Sequence, residues 1–566
     1  MPILPPTVLF VILQWWSPLL QLVSAVWYDR QLSRYRDHWL VQLHQIADFT
    51  RLEQACAGFH ADSGRGAPVI HPIPRLVRAL LVKYLHNLSL RLTEEFIDNH
   101  LLIKWFVGYG LFETPPDHST LNRFELWVFQ HHPRLFFDEV IRQIDCLCPE
   151  DRQRIQIVDT FGMEARAAKT YLIELLREMT SKILCALAET DPDRHLALLA
   201  QLNLLALFGQ PGEKITPALT APERAQRLQQ VGQQSLCLYQ HLSDSLDQTP
   251  HLTPDQQLPL RWLLAYLYKI LTDESTVTLP QPDQPQTATV VERPHGDKGS
   301  YRVGSASDLT ATYRKHDDGP EAILGYNPTV LTTSIFIRET QVDTGAQPDN
   351  VALPEVLQSQ FDQHGFFPDH VAGDMKYGYG KTRALVAETT HGHTQIIAHL
   401  PDYDQRSGLF GPRQFTLADD GLSLTCPNHQ TTAHRYQTEG KGGFDFRFPA
   451  KLCRHCPLWD QCRGPTSKKT APRNVFISFY GDQVEAARLF NQSDLFKRGI
   501  KIRMHIERII YCLTNIYGAR KAHSYGQPRA DFQLKMQATA FNLHQLVREV
   551  LNKPRPTQAG VCPLTA

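Results

Sequence analysis

The feature that most constrains the fold of this chain is a long run without Pro, residues 494–518, that carries an acid, Glu507, among cations and apolar residues. The run predicts one helix with an apolar stripe at helical spacing: Ile502, Ile506, Ile509, Leu513 and Ile516. Glu507 falls in a second apolar stripe on the opposite side, formed by Ile500, Met504 and Tyr511. A helix that is apolar on both sides is expected to be buried, and a buried carboxylate costs free energy unless a cation or a metal compensates it. We therefore expect Glu507 to be buried, either in an ion pair with Arg503 or Arg508 or at a functional site.

The charge of the chain is unevenly distributed, although 58 Lys and Arg balance 58 Asp and Glu overall. Between Lys497 and Arg529 there are eight Lys or Arg and one acid, Glu507. Between Arg463 and Arg473 there are four Lys or Arg and no acid. A basic region around one acid suits a polyanionic substrate held near a metal site, and a solvated basic face is the alternative.

The length of 566 residues exceeds what one compact core can bury, which indicates about two to four domains. Periodicity predicts helices over 35–150 and 165–272, and a Pro/Thr/Gln-rich linker over 273–299. It also predicts these strands: 155–161, 329–342, 370–374 and 394–400. Further helices are expected over 351–364 and 531–551, and a loop-rich segment over 404–475. The fold class is therefore α+β and multidomain.

Three acids occupy special places in this pattern. Asp159 and Asp374 each end a predicted strand, and Glu507 lies on the long helix. Taken singly, an Asp at a strand end is more often a turn residue than a ligand. Together, two strand-end Asp and a helical Glu can hold two divalent ions, Mg²⁺ or Mn²⁺, for an in-line displacement at phosphate. The fold that this implies is a mixed sheet with helices on both faces, of the ribonuclease-H type.

Four cysteines have metal-ligand character. Cys453, Cys456 and Cys462 are spaced C-x2-C-x5-C, and Cys426 or His429 lies upstream. This spacing is compatible with a structural Zn²⁺ site, and four free thiols beside a surface loop are the alternative.

The beginning of the chain is apolar. Residues 7–27 are long enough to span a bilayer, but polar residues and a Pro interrupt them and no Lys or Arg precedes them. A buried helix or a misassigned start is therefore favoured over a membrane anchor.

In its motifs the chain resembles bacterial insertion-sequence transposases with an Asp-Asp-Glu active site. The resemblance begins with HPIPRLVRALLVKYLHNLSL and PPDHSTLNRF within residues 71–128, and continues with IVDTF around Asp159 and LGYNPTV after Asp308. It ends with VAGDMKYG around Asp374, CRHCPLWDQC, and RMHIERIIYCLTNIYGARKAHSYG around Glu507. These motifs cover most of residues 70–550 in the order of the family.

The resemblance implies that Asp159, Asp374 and Glu507 are the catalytic acids and bind two Mg²⁺ or Mn²⁺ ions. The implied partner is double-stranded DNA, both the terminal inverted repeats of the element and the target, bound by a homodimer. The cytoplasm, at the nucleoid, is the implied location, and membrane association is not expected. The basic residues that we predict to contact DNA are Arg503, Arg508, Lys497, Arg498, Arg520, Lys521, Lys376 and Lys381. A helix-turn-helix in the N-terminal helices would add phosphate contacts from Arg75, Arg78, Arg91 or Arg123.

The predicted domains follow from the motifs and the resemblance together. They are a hydrophobic segment of uncertain role (1–34), a helical DNA-binding domain (35–150), a ribonuclease-H-like catalytic domain (151–164, 301–403 and 476–551), a helical insertion (165–272), a linker (273–300), a cysteine-containing insertion (404–475) and a tail (552–566).

The sequence departs from the family at two positions near Glu507. Ile500 stands where the family commonly has Tyr, and Thr514 where it commonly has Lys. Because those groups would touch DNA, a catalytically decayed DNA-binding protein stays open as an alternative. A membrane-anchored protein of unknown role, anchored by residues 7–27, is a second alternative.

Overall fold

The computed structural model describes residues 6–61, 70–210, 219–246, 253–279, 288–314, 322–400, 408–437, 442–464, 467–468 and 470–552. Up to residue 147 the described chain is helical, which confirms the prediction for 35–150. Its helices are α1 Pro6–Tyr35, α2 Trp39–Ile46, α3 Thr50–Ala55, α4 Gly58–Ala61, α5 Ile73–Leu85, α6 Leu90–Asn99, α7 Leu101–Val107, α8 His118–His131 and α9 Leu135–Leu147. Asp117 begins α8 as the sequence predicts, because its carboxylate accepts a hydrogen bond from the Thr120 N–H at 2.6 Å.

The apolar segment at the beginning of the chain lies in α1. The hydroxyl of Ser24 accepts a hydrogen bond from the Leu111 N–H at 3.1 Å, and the Tyr28 hydroxyl donates to the Tyr109 carbonyl at 3.1 Å. These contacts attach α1 to the loop after α7. Among the described residues, no helix is both long and apolar enough to cross a membrane.

A mixed sheet of seven strands forms the centre of the molecule. The strands up to residue 397 are β1 Gln156–Thr160, β2 Met163–Glu164, β3 Ser275–Thr278, β4 Thr289–Glu292, β5 Thr312–Arg314, β6 Ile323–Thr332, β7 Ile337–Thr344, β8 His370–Ala372 and β9 Gln395–Ile397. In the central sheet β1 lies between β6, which is antiparallel to it, and β8, which is parallel. β9 extends the sheet parallel to β8, and β2, β5 and β7 all pair antiparallel with β6.

One predicted strand is two strands in the structure. The β-branched run 329–342 turns back on itself at 333–336, between β6 and β7. The Thr333 hydroxyl closes this turn by accepting a hydrogen bond from the Phe336 N–H at 3.0 Å. The prediction of one strand was wrong because apolar patterning does not show a turn closed by a Thr side chain.

Helices cover both faces of the central sheet. They are α15 Leu353–His364, α16 Gly380–Thr389, α19 Gly481–Phe490, α20 Asp494–Arg503, α21 His505–Tyr511 and α22 Gln527–Asn552, with two short helices, α17 Ala450–Cys453 and α18 Trp459–Cys462, before them in the cysteine segment. Val158 and Leu331 pack against α15 and α16. Val330 belongs to the core that contains α21, α22 and the N-terminal helices, and Ile397 packs on Phe496 of α20. The sheet therefore shares one continuous core with the helices of residues 39–147.

Residues 165–272 are helical where described, as predicted, with their own core: α10 Leu172–Thr190, α11 Pro192–Gln201, α12 Leu204–Phe208, α13 Ala221–Leu246 and α14 Pro254–Glu274. The linker predicted for 273–299 is more ordered than expected, since β3 and β4 pair antiparallel and Val290 packs on Gly232 of α13. Part of that linker, 280–287, lies outside the described residues, as does the tail from 553.

The loop-rich prediction for 404–475 is confirmed in outline. Short strands make two small sheets there: β10 Thr416–Leu417, β11 Leu424–Thr425 and β12 Thr431–Thr432 in one, and β13 Arg435–Tyr436, β14 Gly443–Phe448 and β15 Arg473–Ser478 in the other.

The long helix predicted over 494–518 is interrupted twice. It turns at Met504 between α20 and α21, and a π-helical turn at Cys512–Ile516 ends it. Only one of its two apolar stripes is buried: Ile506, Ile509 and Leu513 are in the core. Met504 and Tyr511 of the second stripe are 69% and 62% exposed, so the expectation that both sides are covered was wrong.

Candidate active site

Asp159 lies at the end of the central strand β1 and faces the helix that carries Glu507. Its cross-strand partner is Val330, and cross-strand partners point to the same face of a sheet. Val330 shares a core with Ile509 and Leu513, so the Asp159 side chain lies on the face covered by α21. The pKa of Asp159 is raised to about 6, mainly by burial and additionally by the nearby Asp374 and Asp349. The Thr160 N–H, which donates to the carboxylate at 2.8 Å, and Arg503 act in the opposite direction.

Asp374 follows the parallel neighbour β8, so the two aspartates come from adjacent strands. Its carboxylate accepts a hydrogen bond from the Lys376 N–H at 2.8 Å and begins a 3₁₀ turn, Met375–Gly378. Gly378 is required in that turn, because a Cβ there would lie 2.0 Å from the His399 carbonyl oxygen. The parallel pairing of β1 with β8 therefore brings together two acids that are 215 residues apart in the sequence.

Glu507 is exposed on α21, which corrects the expectation that it is buried. Its side chain makes no ion pair or hydrogen bond with the described residues, so the predicted pairing with Arg503 or Arg508 was also wrong. Arg503 instead lies near enough to Asp159 to lower the pKa of that carboxyl. Glu507 follows Arg503 by four residues, beyond the turn at Met504 that separates α20 from α21. The Arg508 guanidinium donates to the Ser334 carbonyl at 3.2 Å.

The donor set of this site suits a hard divalent cation, since its acids offer carboxylate oxygens and repel one another. The hydroxyl of Tyr377 is fully buried, and no described residue is its hydrogen-bond partner. Burial raises the pKa of Tyr377, and the carboxylates of Asp159, Asp349 and Asp374 raise it further. An unpartnered hydroxyl beside three carboxylates fits a site that takes up a hydrated ion. Across the described ranges, however, no three His, Cys, Asp or Glu side chains are already grouped so as to hold a metal ion.

Sequence reasoning missed Asp349, which lies in the loop between β7 and α15. Its carboxylate accepts hydrogen bonds from Thr160 at 2.8 Å and from the Lys376 ammonium at 2.7 Å. Arg314 lies 3.5 Å from it. No local motif marks Asp349, because its partners come from three other segments of the chain.

Most of the residues predicted to contact DNA have exposed side chains. The exposed side chains are Lys497, Arg498, Arg508, Arg520, Lys521, Lys376 and Lys381, whereas Arg503 is half-buried beside Asp159. Of the N-terminal arginines, Arg75 pairs with Glu113 at 3.1 Å and Arg78 with Glu53 at 3.6 Å.

The two departures from the family point away from the solvent. Ile500 packs with the small core of Phe496 and Ile397, and Thr514 is buried with its hydroxyl donating to the Ile510 carbonyl at 2.8 Å. Thr514 therefore offers no surface for DNA, whereas Ile500 is half-buried.

Replacing Asp159 by Asn is expected to stabilise the protein at pH 8 in the absence of divalent cations. The pKa of Asp159 is raised from 3.8 to about 6 in the folded state, so the folded protein binds more protons than the unfolded chain between those values. The free energy of unfolding of the wild type should therefore fall as pH rises from 4 to 6. Because Asn is neutral, D159N should be more stable by about 1–3 kcal/mol at pH 8 and equally stable at pH 4. Urea denaturation in EDTA at both pH values measures the difference; equal stability at pH 8 would contradict the assigned electrostatics.

Comparison with protein families gives two matches, one near each end of the chain. The family described as "Transposase domain (DUF772)" matches residues 28–125, and the family described as "Transposase DDE domain" matches residues 425–547. No curated protein and no solved structure matches this chain.

Both matched families are transposase domains, and they lie in the order that the sequence motifs predicted. The two matches support an insertion-sequence transposase of the DDE type, as the resemblance predicted, and a DNA transposase in general. The DDE match contains Glu507 and the four clustered cysteines, while Asp159 and Asp374 lie outside both matched ranges.

Proposed function

We propose that this transposase cuts and joins DNA at the ends of a mobile element, with Asp159, Asp374 and Glu507 as its catalytic acids. One observation carries the proposal: two acids from adjacent parallel strands meet on the sheet face covered by the helix of Glu507. The first reaction is hydrolysis of a phosphodiester at an element end. In the second, the freed 3′-hydroxyl attacks a phosphodiester of the target DNA.

The acids and Arg503 have distinct roles in this proposal. Asp159, Asp374 and Glu507 would hold two Mg²⁺ or Mn²⁺ ions. Such ions, when bound, activate the attacking oxygen and stabilise the leaving oxygen of an in-line displacement. Arg503 is placed to offset the negative charge where a phosphate approaches Asp159, and the exposed Glu507 carboxylate can reach a substrate without first breaking an ion pair.

The arrangement of the sheet supports a ribonuclease-H-like catalytic domain. The central strand β1 has an antiparallel neighbour on one side and a parallel neighbour on the other, with helices on both faces. We assign this domain to 151–164, 301–403 and 476–551, with 165–272 and 404–475 as insertions.

Exposed cations support binding of double-stranded DNA beside the acids. Lys497 and Arg498 lie on α20, Arg508 on α21, and Arg520 and Lys521 follow the π-helical turn. Phosphate contacts of this kind position DNA without reading its sequence. A homodimer in the DNA complex is proposed because both ends of an element must be processed together.

We also propose that Cys426, Cys453, Cys456 and Cys462 bind one structural Zn²⁺. All four line the same small pocket, and the Sγ of Cys426 accepts a hydrogen bond from the Gln430 N–H at 3.4 Å. The pKa of the Cys453 thiol is raised by burial and by the other three thiols, and a bound cation would relieve that repulsion.

The purified protein is expected to contain about one zinc per chain by elemental analysis, because four thiolates complete a tetrahedral site. Cys453→Ser should lose the metal and melt at a lower temperature. Cys512→Ser, a cysteine outside this pocket, is the matched control and should keep the zinc. If wild-type protein purified in buffers that contain zinc carries no bound zinc, this assignment is contradicted.

The function is tested with DNA that flanks the gene, where short inverted repeats are expected. The wild-type protein should nick a duplex that contains such an end when Mg²⁺ or Mn²⁺ is present, and should leave it intact in EDTA. Binding without cleavage under all conditions would instead favour a decayed, DNA-binding transposase.

A further inference from the structure

We infer that Asp349 is a positioning residue, which fixes the Asp159 segment and the Asp374 segment relative to each other. This inference rests on the proposed function, since it concerns the same pair of acids. Asp349 lies in the loop after β7, outside both matched family ranges.

The two oxygens of the Asp349 carboxylate bond to two different segments. Oδ1 accepts a hydrogen bond at 2.8 Å from the hydroxyl of Thr160, the residue that follows Asp159. Oδ2 accepts a hydrogen bond at 2.7 Å from the ammonium of Lys376, whose own backbone N–H donates to Asp374. One carboxylate therefore connects the end of β1 to the turn after β8.

Two further side chains hold Asp349 in place. Arg314 lies 3.5 Å from Oδ1 and also donates to the Phe161 carbonyl at 3.0 Å. Asn327 on β6 donates to Oδ1 at 3.2 Å. The Asp349 side chain is only 16% exposed, so these bonds are made largely out of water, where charge-assisted hydrogen bonds are strong.

Asp349 differs from Asp159 and Asp374 in its charge pairing. Lys376 neutralises the Asp349 carboxylate, whereas no lysine or arginine pairs with Asp159 or Asp374 within the described chain. Asp349 therefore acts as a support for these two carboxylates. Lys376, which the sequence predicted to contact DNA, pairs with Asp349 while its side chain stays half-exposed.

Asp349→Asn tests this role with little change in shape. The Asn oxygen can still accept the Thr160 hydrogen bond, but its NH₂ group cannot accept one from Lys376. Binding of Mn²⁺ to the protein alone, followed by electron paramagnetic resonance, is the readout. Its dissociation constant should rise by about tenfold or more, as is found when outer partners of metal ligands are removed. Asp343→Asn is the matched control and should leave Mn²⁺ binding unchanged. Asp343 lies near the end of β7, and its carboxylate accepts a hydrogen bond from Gln341.

A double-mutant cycle tests whether Asp349 affects Mn²⁺ binding through its contact with Lys376. Lys376→Met removes the same contact from the other side, so it should weaken Mn²⁺ binding by a similar factor. The double variant D349N/K376M should be no weaker than either single variant, because one interaction has been lost. Thr160→Val, which leaves every charge in place, should give a smaller loss and serves if D349N does not fold by circular dichroism.

Each outcome bears on one of the two proposals or on both. Unchanged Mn²⁺ binding in a folded D349N or K376M, or additive losses in the double variant, would overturn the positioning role alone. Normal Mn²⁺ binding by a wild type that never cleaves DNA would overturn the proposed function alone. A wild type that binds no Mn²⁺ would overturn both.

Discussion

Replacing Asp159 or Asp374 by Ala is expected to slow strand cleavage at an element end by about a thousandfold or more, which corresponds to about 4 kcal/mol of lost transition-state stabilisation. The two carboxylates come from adjacent parallel strands, and Asp374 adds to the effect of burial in raising the pKa of Asp159. Either substitution removes a ligand from the proposed metal site and leaves the exposed cations untouched. Binding to the element end, measured by gel retardation, should therefore persist while cleavage is lost.

The control for these variants is Asp369→Ala. Asp369 is an exposed acid that pairs with His393 at 3.0 Å. It comes immediately before β8, whereas Asp374 comes after it. The D369A variant should cleave an element end at the wild-type rate. Cleavage that survives in D159A or D374A would remove these residues from the active site.

Replacing Arg338 by Met is expected to destabilise the folded protein by up to about 3–5 kcal/mol, the cost of removing one member of a buried charge cluster. Arg152 still pairs with Asp145 and Arg154 with Asp151 in this variant. Arg338 is fully buried on β7 and lies 2.6 Å from Asp145 and 3.5 Å from Asp151. Asp145 lies in α9 and Asp151 in the 3₁₀ turn that follows it, so this cluster connects the N-terminal helices to the central sheet.

The loss caused by R338M should depend on pH. Burial raises the pKa of Asp151 to about 6 even with the guanidinium present. Without Arg338 this carboxyl should protonate more readily, so the penalty should be largest at pH 8 and smaller at pH 5. Urea denaturation at both pH values measures it, with the exposed Arg91→Met as a control expected within about 0.5 kcal/mol of the wild type. A loss below 1 kcal/mol at pH 8 would show that the buried pairs contribute little.

Local patterns in the sequence predicted the elements around the site well. The β-branched run before Asp159, the helix after Asp117 and the two strand-end acids all lie where the sequence predicts. These features depend on residues that are close in the sequence and on strong apolar periodicity, and both can be read from the sequence alone.

The environment of Glu507 could not be predicted in the same way. Helical spacing shows which residues share a side of a helix, but it does not show which sides are covered. The apolar Met504 and Tyr511 suggested burial, yet both are exposed next to Glu507. Asp349 escaped prediction for a related reason, since it meets Thr160 and Lys376 only after the sheet has formed.

The central claim is that Glu507 acts with the two aspartates on DNA, and one comparison tests it most directly. Glu507→Gln keeps the size of the side chain and removes its charge, while Asp494→Asn removes an exposed acid from the adjoining helix α20 as a control. Cleavage of a duplex with one element end should be lost in E507Q and retained in D494N, with equal DNA binding in both. Mg²⁺-dependent cleavage by E507Q at the wild-type rate would contradict the account.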